Sequence, residues 1–514
     1  MHESEGECSM PTKPQKYGEI VGLVAALNGL AAAELSTRLS ANLENPIISI
    51  GNRVVDAVPN FMKELVVRLF GVNDKTFLLF CIVISVAGLA VVIGRAYANG
   101  NLTKGRYIII GMSGLAAIAS LFDAKASPFA VVPSFVTGGV TLLILNSYAR
   151  RKREAEASGG EYSRREALSF AAVVGFVAVA SVGFGRLLQQ QASTGLERLK
   201  VILPKALKSL PAPPTDPALG LPGLSKLFTP NSEFYRIDTA LSTPEIAVDT
   251  WTLKIDGMVA TPREYTYKEL LQRPTFELDG TIACVSNEIG GDLVGNARWF
   301  GIRLDDLIRE AGPLTRADQV MGHSVDGFTA GFPVSVLDGR DAMIAFGMNG
   351  EVLPIEHGFP ARIIVPGLYG YVSATKWLSR IELTRFDEKR GYWIPRGWSA
   401  LAPIKTASRI DTPRNGSRIV QGAGVVAGVA WAPIRGISRV EVRIDGGGWQ
   451  DAKLGPELAN TTWRQWWMKW NPPAGEHKIS VRATDGKGER QGEKKVAVLP
   501  NGAEGWHTIY LTAE

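Results

Sequence analysis

Apolar residues fall in long unbroken runs over roughly the first 190 positions and in short alternating bursts over the rest. The stretch FLLFCIVISVAGLAVVIG (77–94) carries no charge. At ~1.5 Å per helical residue it reaches roughly 27 Å, close to the thickness of a bilayer core. Pro128–Ala149 and Ala167–Gly185 are runs of similar length. Tyr107–Phe122 is slightly shorter and flanked by charge, and Ile20–Leu35 is interrupted by Asn28 and Glu34. The pattern predicts five spans and an all-α transmembrane bundle over residues 1–190.

A Pro-rich, semi-rigid spacer follows, LPKALKSLPAPPTDPALGLPGL from Leu203, inside a linker placed at 191–232. Beyond it the periods shorten. TWTLKIDGMV (250–259) alternates into an Asp-Gly turn, YTYKELLQRP is a short helix stopped by Pro274, and RLDDLIREAG is an amphipathic helix ended by Gly312. Strands and short helices mix without a βαβ rhythm, which predicts an α+β domain over 233–402. From about Thr412 only strand patterns remain, VEVRID (440–445) and HKISVRATDG (477–486) among them, with turns at short intervals. That texture predicts an all-β immunoglobulin-like sandwich over 403–514. GAGVVAG (422–428) has the glycines of a dinucleotide loop, but its all-β setting offers no following helix.

Charge changes this picture by orienting it. The formal net charge is only +6, and much of the basic excess lies beside the apolar runs, so it reads as membrane topology rather than a nucleic-acid footprint. Lys13 and Lys16 precede the first span, Arg95, Lys104 and Arg106 follow the second, and six arginines and lysines fill Ala149–Ala167 before the fifth. The other loops are mixed in sign. Positive-inside logic then places the N-terminus in the cytoplasm and everything after residue 190 outside, at a plasma membrane crossed several times. SRREAL (163–168), just before the fifth run, looks like a twin-arginine export signal as well as plain topology charge. The five histidines (2, 323, 357, 477 and 507) all lie outside the spans, which excludes a bis-histidine haem within them.

The three cysteines, Cys8, Cys81 and Cys284, fall in three compartments of that topology, so no intrachain disulfide is expected. Cys284 ends an apolar run at the lip of the glycine-containing stretch CVSNEIGGDLVGNARWFG. One reading is a buried small hydrophobe; the other is a soft ligand or nucleophile. A metal would need more ligands than one thiol, and no Cys/His cluster supplies them; an organic cofactor with its own sulfurs would.

Together with HSVDGFTAGFP, FGMNGEVLPIEHGFPARIIVPGLYGYVSATKWL and the all-β region after them, this stretch resembles the sulfite oxidase family of molybdopterin oxidoreductases, from about Phe234 to the C-terminus. The resemblance implies a molybdenum–molybdopterin cofactor, with Cys284 on the metal. Tyr235, Arg236, Asp326, His357, Arg362, Ala374, Thr375 and Lys376 would hold the pterin and its phosphate. Arg236, in FYRID, and Arg435, from the sandwich domain, would be the pocket arginines beside the metal. Departures accompany the match. Phe346, in AFGMN, stands where sulfite oxidases have a tyrosine, Glu288 and Ile289 replace an arginine pair, and Gly291 replaces a pocket tryptophan. Loss of two donors and gain of a carboxylate predict poor sulfite binding. A bacterial family member that reduces methionine sulfoxide lacks the arginine pair too.

The expected function is therefore membrane-anchored two-electron oxo transfer on a small oxyanion, sulfoxide or similar molecule, with a separate electron carrier and a homodimer through the C-terminal domain. The alternative is a non-catalytic scaffold that kept the fold. TTWRQWWMKW (461–470) is expected to serve packing or an interface rather than electron transfer.

Overall fold

The computed structural model describes residues 13–37, 43–59, 74–123, 127–160, 165–176, 194–212, 221–422 and 424–514, with a few isolated positions between them. It divides into two units, one comprising residues 1–193 with 240–242, the other 194–239 with 243–514.

The first unit is helical: α1 (Lys13–Thr37), α2 (Pro46–Ala57), α3 (Asp74–Ala98), α4 (Leu102–Leu121) and α5 (Val132–Ala157), with residues 165–176 helical again. Val21, Ala25, Ile93, Tyr97, Ile109, Leu145 and Tyr148 form its shared core, and small residues let backbones meet. A Cβ on Gly94 would stand 2.1 Å from the Gly18 carbonyl oxygen, so α1 and α3 touch only because that side chain is missing. Three helices among the described residues are long and apolar enough to cross a membrane: Tyr17–Thr37, Lys75–Ala98 and Val132–Ala157. Of the five expected spans, the fourth candidate is the 20-residue α4, which carries Lys104 and Arg106 in its first turns. The fifth is helical over its described part, to residue 176; its remainder, Cys8 and Arg164 of SRREAL lie outside the described residues.

The second unit opens with the short helix α6 (Thr194–Lys200) and is β-rich. One sheet has the order β2 (Arg263–Thr266), β1 (Thr252–Gly257), β10 (Leu378–Thr384), β5 (Gln319–Ser324), β6 (Thr329–Pro333), with β1 and β10 parallel. A second runs β3 (Thr275–Ala283), β4 (Val294–Arg303), β7 (Met343–Met348), β8 (Glu351–Val352), with β9 (Arg362–Ile364) on β7. Helices here are short. α7 (Tyr267–Leu271) starts at a capping box of Thr266 and Glu269, α8 (Leu304–Ala311) ends at left-handed Gly312, and α9 (Gly370–Ser373) is one turn. The predicted α+β mixture is thus present with strands dominating.

After Thr406 the chain makes two further sheets. Their orders are β11 (Ala407–Thr412), β13 (Gly424–Trp431), β17 (Arg464–Trp470), β16 (Lys453–Leu454), and β12 (Arg418–Ile419), β19 (His507–Ala513), β18 (Gly475–Asp485), β14 (Ile437–Ile444), β15 (Gln450–Asp451). Inward residues of both, including Val426, Val440, Val442, Trp466, Ile479, Val481 and Ile509, share one core. GAGVVAG contributes to β13, a strand, as its all-β context requires.

The same C-terminal segment grips β3. Thr281 N–H donates to the Thr461 carbonyl (3.0 Å), Trp463 N–H to Thr281 Oγ1 (2.7 Å), and Trp463 Nε1 to the Leu227 carbonyl (2.8 Å). Trp463 and Trp466 are buried, which is the packing role expected of this tryptophan cluster.

Candidate functional site

β3 and β4 pair from Thr275 with Ile302 to Ala283 with Val294, and Cys284 is the first residue of the loop between them. Its N–H donates to the Leu293 carbonyl (2.9 Å) and its carbonyl accepts from Asn287 N–H (3.1 Å). Asn287 Oδ1 accepts from Leu293 N–H at 2.9 Å, so the loop is braced on both sides of the cysteine. Cys284 is buried, and burial pushes its thiol pKa up against the opposing hydrogen bonds from Ser286.

The thiol opens on a cavity of about 900 Å³, its mouth included, whose walls contain Tyr235, Asp238, Asp326, His357, Arg362, Ala374 and Lys376. Segments far apart along the chain converge here. Asp326 sits in the β5–β6 turn, where its Oδ1 accepts from Phe328 N–H (3.0 Å). His357 closes a 3-10 turn at Ile355–His357, Arg362 begins β9, and Ala374–Lys376 follow α9. Gly358 makes the convergence possible: at φ +112 it reverses the chain, and a Cβ there would lie 3.0 Å from Lys376 Cβ and 3.2 Å from Arg362 Cβ.

Electrostatics divide the cations. Arg362 is 6% exposed, donates to the carbonyls of His357 (3.0 Å) and Ala374 (3.5 Å), and lies over the Trp299 ring at 5.1 Å. Its buried Nε has no partner, and burial lowers its pKa to about 10. Lys376 does have a counter-ion: Nζ donates to Asp238 Oδ2 (2.9 Å) and to the Glu356 carbonyl (3.2 Å). Burial lowers its pKa to about 8 although Asp238 opposes the shift. His357 Nε2 lies 2.9 Å from the Asn231 carbonyl, which only accepts, so the proton is on Nε2. Burial, with Arg362 and Lys376 nearby, holds its pKa down at about 4. Tyr235 stacks on Phe234 at 5.3 Å, and burial raises its phenol pKa.

Of the residues expected from sequence, Cys284, Tyr235, Asp326, His357, Arg362, Ala374 and Lys376 meet at this cavity. Thr375 is buried behind the wall and its carbonyl accepts from Ile363 N–H (3.0 Å). Arg236 and Arg435 are not on the wall. Arg236 turns to Asp238 Oδ2 (2.8 Å) and Thr243 Oγ1 (2.9 Å). Arg435 pairs with Asp485 Oδ2 (2.7 Å) and reaches the Ile404 carbonyl and Thr406 Oγ1.

Glu288 was expected to enter the metal pocket; instead it and Ile289 line a separate space of about 420 Å³ with Tyr369, Thr406 and Glu504, because the loop turns away after Asn287. Phe346 is fully buried in β7 against Tyr267, with ring centroids 5.4 Å apart, and does not line the cavity either. Sequence reading missed Asp238 and the aromatic wall of Phe328, Tyr371, Trp377, Trp393 and Trp398. Asp238, two residues after Arg236 in FYRID, was the one with a local signal.

The donor set fits a molybdopterin. No group of three or more His, Cys, Asp or Glu side chains suited to a metal occurs among the described residues. A metal at Cys284 therefore needs sulfurs from a chelator, and the unpartnered Arg362 Nε suits that chelator's phosphate.

Comparison with known proteins agrees. The profile of the oxidoreductase molybdopterin binding domain matches residues 240–393. Human mitochondrial sulfite oxidase is 28% identical over 301 residues, covering 49% of this chain and 55% of the human protein. The chain thus spans about half the length of that relative. The uncharacterized oxidoreductase YuiH of Bacillus subtilis is 32% identical over 148 residues, 29% of this chain and 72% of YuiH. Among solved structures, the sulfane dehydrogenase SoxCD from Paracoccus pantotrophus superposes with a TM-score of 0.50 at 24% identity, over 56% of this chain and 82% of that one, a likeness of fold.

Proposed function

The chain belongs to the sulfite oxidase family of molybdopterin oxidoreductases, and on that premise we propose that it carries out two-electron oxo transfer on a small molecule at the Cys284 cavity. The observation that carries this reading is one cavity holding both a buried lone thiol and a buried arginine with an unpartnered Nε. When bound, molybdopterin supplies dithiolene sulfurs and a molybdenum ion able to exchange two electrons and an oxygen atom.

The chain's own groups do the rest. Cys284 gives up its proton on taking a metal, a proton that burial otherwise holds on sulfur. Arg362 and Lys376 receive phosphate, the first as a fork and the second as a point charge. His357 stays neutral, offering an unprotonated Nδ1 while Nε2 is committed to Asn231. Asp326, Tyr235 and Ala374 complete the cradle, with Thr375 buried behind its wall, and Phe328, Trp393 and Trp398 keep water from it. Arg236 and Arg435 keep the roles of the family's pocket arginines in this reading, although neither lines the cavity.

The helical unit anchors the protein in the plasma membrane, with three helices among the described residues long and apolar enough to cross it supporting the reading. The lysine and arginine distribution argues for a cytoplasmic N-terminus and an extracytoplasmic catalytic part. Domain limits follow the sequence reading at 1–190, 191–232, 233–402 and 403–514, the last an immunoglobulin-like sandwich that also forms a homodimer. Electrons pass to or from a separate carrier.

Replacing Cys284 by Ser is the direct test. We expect about one molybdenum per purified chain before the change, and loss of metal-dependent turnover after it with an unaltered unfolding midpoint. Metal and turnover that survive the substitution would exclude the role given to Cys284. A molybdenum-free parent chain would favour the scaffold reading.

A further inference from the structure

We propose that residues 199–210 form a strap that lies on the membrane surface, with Leu199, Ile202 and Leu207 at the acyl-chain boundary and Lys200, Lys205 and Lys208 among anionic headgroups. The inference rests on the membrane reading above and adds to it a lipid contact made by the second unit itself.

Among the described residues of the second unit, the most exposed large apolar side chains are Ile202 (87%), Leu207 (80%) and Leu199 (75%). All three fall in this one short segment, and its backbone is held in place. Arg198, just before it, donates to the carbonyls of Val352 (2.6 Å) and Leu353 (3.1 Å). Leu203 Cδ1 lies 2.8 Å from where a Cβ on Gly347 would stand, so that side chain fills the space left open on β7. Leu207 N–H donates to the Thr275 carbonyl (2.9 Å), Glu277 N–H to the Lys208 carbonyl (3.1 Å) and Leu210 N–H to Glu277 Oε2 (2.7 Å). The strap is thus ordered along β3 before any partner arrives, and covering its outward aliphatic side chains costs little further ordering.

Composition and reach identify the cover. From Arg198 to Thr215 the chain has one arginine, three lysines and no carboxylate. Lys200 meets Glu197 (2.7 Å), while Lys205 and Lys208 are exposed. Cores of protein interfaces favour aromatic residues and arginine and disfavour lysine, and residues 199–210 contain neither an aromatic residue nor an arginine. Leucine, isoleucine and lysine are instead the mixture of an interfacial segment, whose aliphatic side chains enter the acyl boundary while lysine stems extend to headgroups. In the proposed topology the fifth apolar run ends at Gly185, nine residues before Thr194, which is at most about 32 Å of extended chain. That tether keeps the strap near the bilayer, where lysines are drawn to anionic headgroups.

The test uses the full chain in nanodiscs made from equal parts of phosphatidylcholine and phosphatidylglycerol. The photoreactive residue benzoylphenylalanine replaces Ile202 or Leu207, whose exposed side chains leave the fold undisturbed. Ile84 in α3 serves as the reference for a span, and Val420, 73% exposed, as the reference for a water-facing position. After irradiation, mass spectrometry reads lipid adducts and gel electrophoresis reads links between chains. The probe is expected to take up lipid at the positions of Ile202, Leu207 and Ile84, and none at that of Val420. Lys200→Glu, Lys205→Glu and Lys208→Glu together are expected to lower the lipid yield at the Ile202 position by about threefold or more, leaving the Ile84 position unchanged.

Lipid adducts at the Ile84 position without any in the strap would overturn the inference and leave the membrane reading standing. Equal yields in the strap and at Val420, links to a second copy of the chain in place of lipid, or a yield indifferent to the three lysines would each overturn it too. Absence of lipid at the Ile84 position would count against the membrane reading beneath it, so the two failures are told apart.

Discussion

At the scale of single residues, the site is built from groups whose charge is set by burial. His357 shows the consequence for stability. Its pKa falls from an ordinary value near 6.5 to about 4 in the folded protein, so the unfolded chain takes up a proton that the folded one refuses. Stability from this residue is therefore complete above about pH 6.5 and is lost as pH falls toward 4, by up to roughly 3 kcal/mol. His507, also held at about 4 by burial, adds a loss of the same sign. Unfolding midpoints measured between pH 7 and pH 4 should fall, and His357→Gln should flatten part of the decline. An unchanged slope in that variant would show that His357 is accessible to protons in the folded state.

At the scale of elements, the cradle depends on backbone more than on side-chain reach. Gly358 joins the His357 turn to Arg362 in a conformation that L side chains rarely adopt, with Lys376 Cβ 3.0 Å from where a Cβ would stand. Gly358→Ala adds left-handed strain and a clash with the two cation-bearing backbones. We expect a loss of about 1–3 kcal/mol in chemical unfolding, together with reduced molybdenum content. A variant with normal stability and metal would mean that the turn can relax without moving Arg362. The loop that carries Cys284 is of the opposite kind, fixed by Asn287 and the Leu293 backbone rather than by a special dihedral at the cysteine.

At the scale of the second unit as a whole, the C-terminal sheets support the cysteine. β3 delivers Cys284, and Thr461 and Trp463 hold β3 by three hydrogen bonds. Trp463 is 2% exposed and also ties down Leu227. Trp463→Ala should cost about 3–5 kcal/mol by leaving a cavity. Molybdenum content should fall with it, since the strand leading to Cys284, the proposed metal ligand, loses its brace. Full metal occupancy despite a lowered midpoint would assign Trp463 to packing alone.

The sequence alone carried the apolar runs that became long helices, the Gly312 helix stop, the strand character of GAGVVAG and the order of the cysteine, histidine, arginine and lysine segments now found around one cavity. Those features are local: period, turn chemistry and motif spacing depend on neighbours a few residues apart. Tertiary structure decided what lies close only in space. It moved Glu288 into a different cavity, removed Phe346 from the site, and gave Arg236 and Arg435 their aspartates. Asp485 stands 50 residues beyond Arg435, and Lys376 reaches Asp238 across 138 residues. Whether an arginine is free to bind a ligand depends on such distant partners, because Coulomb attraction follows separation in space, whatever the separation along the chain.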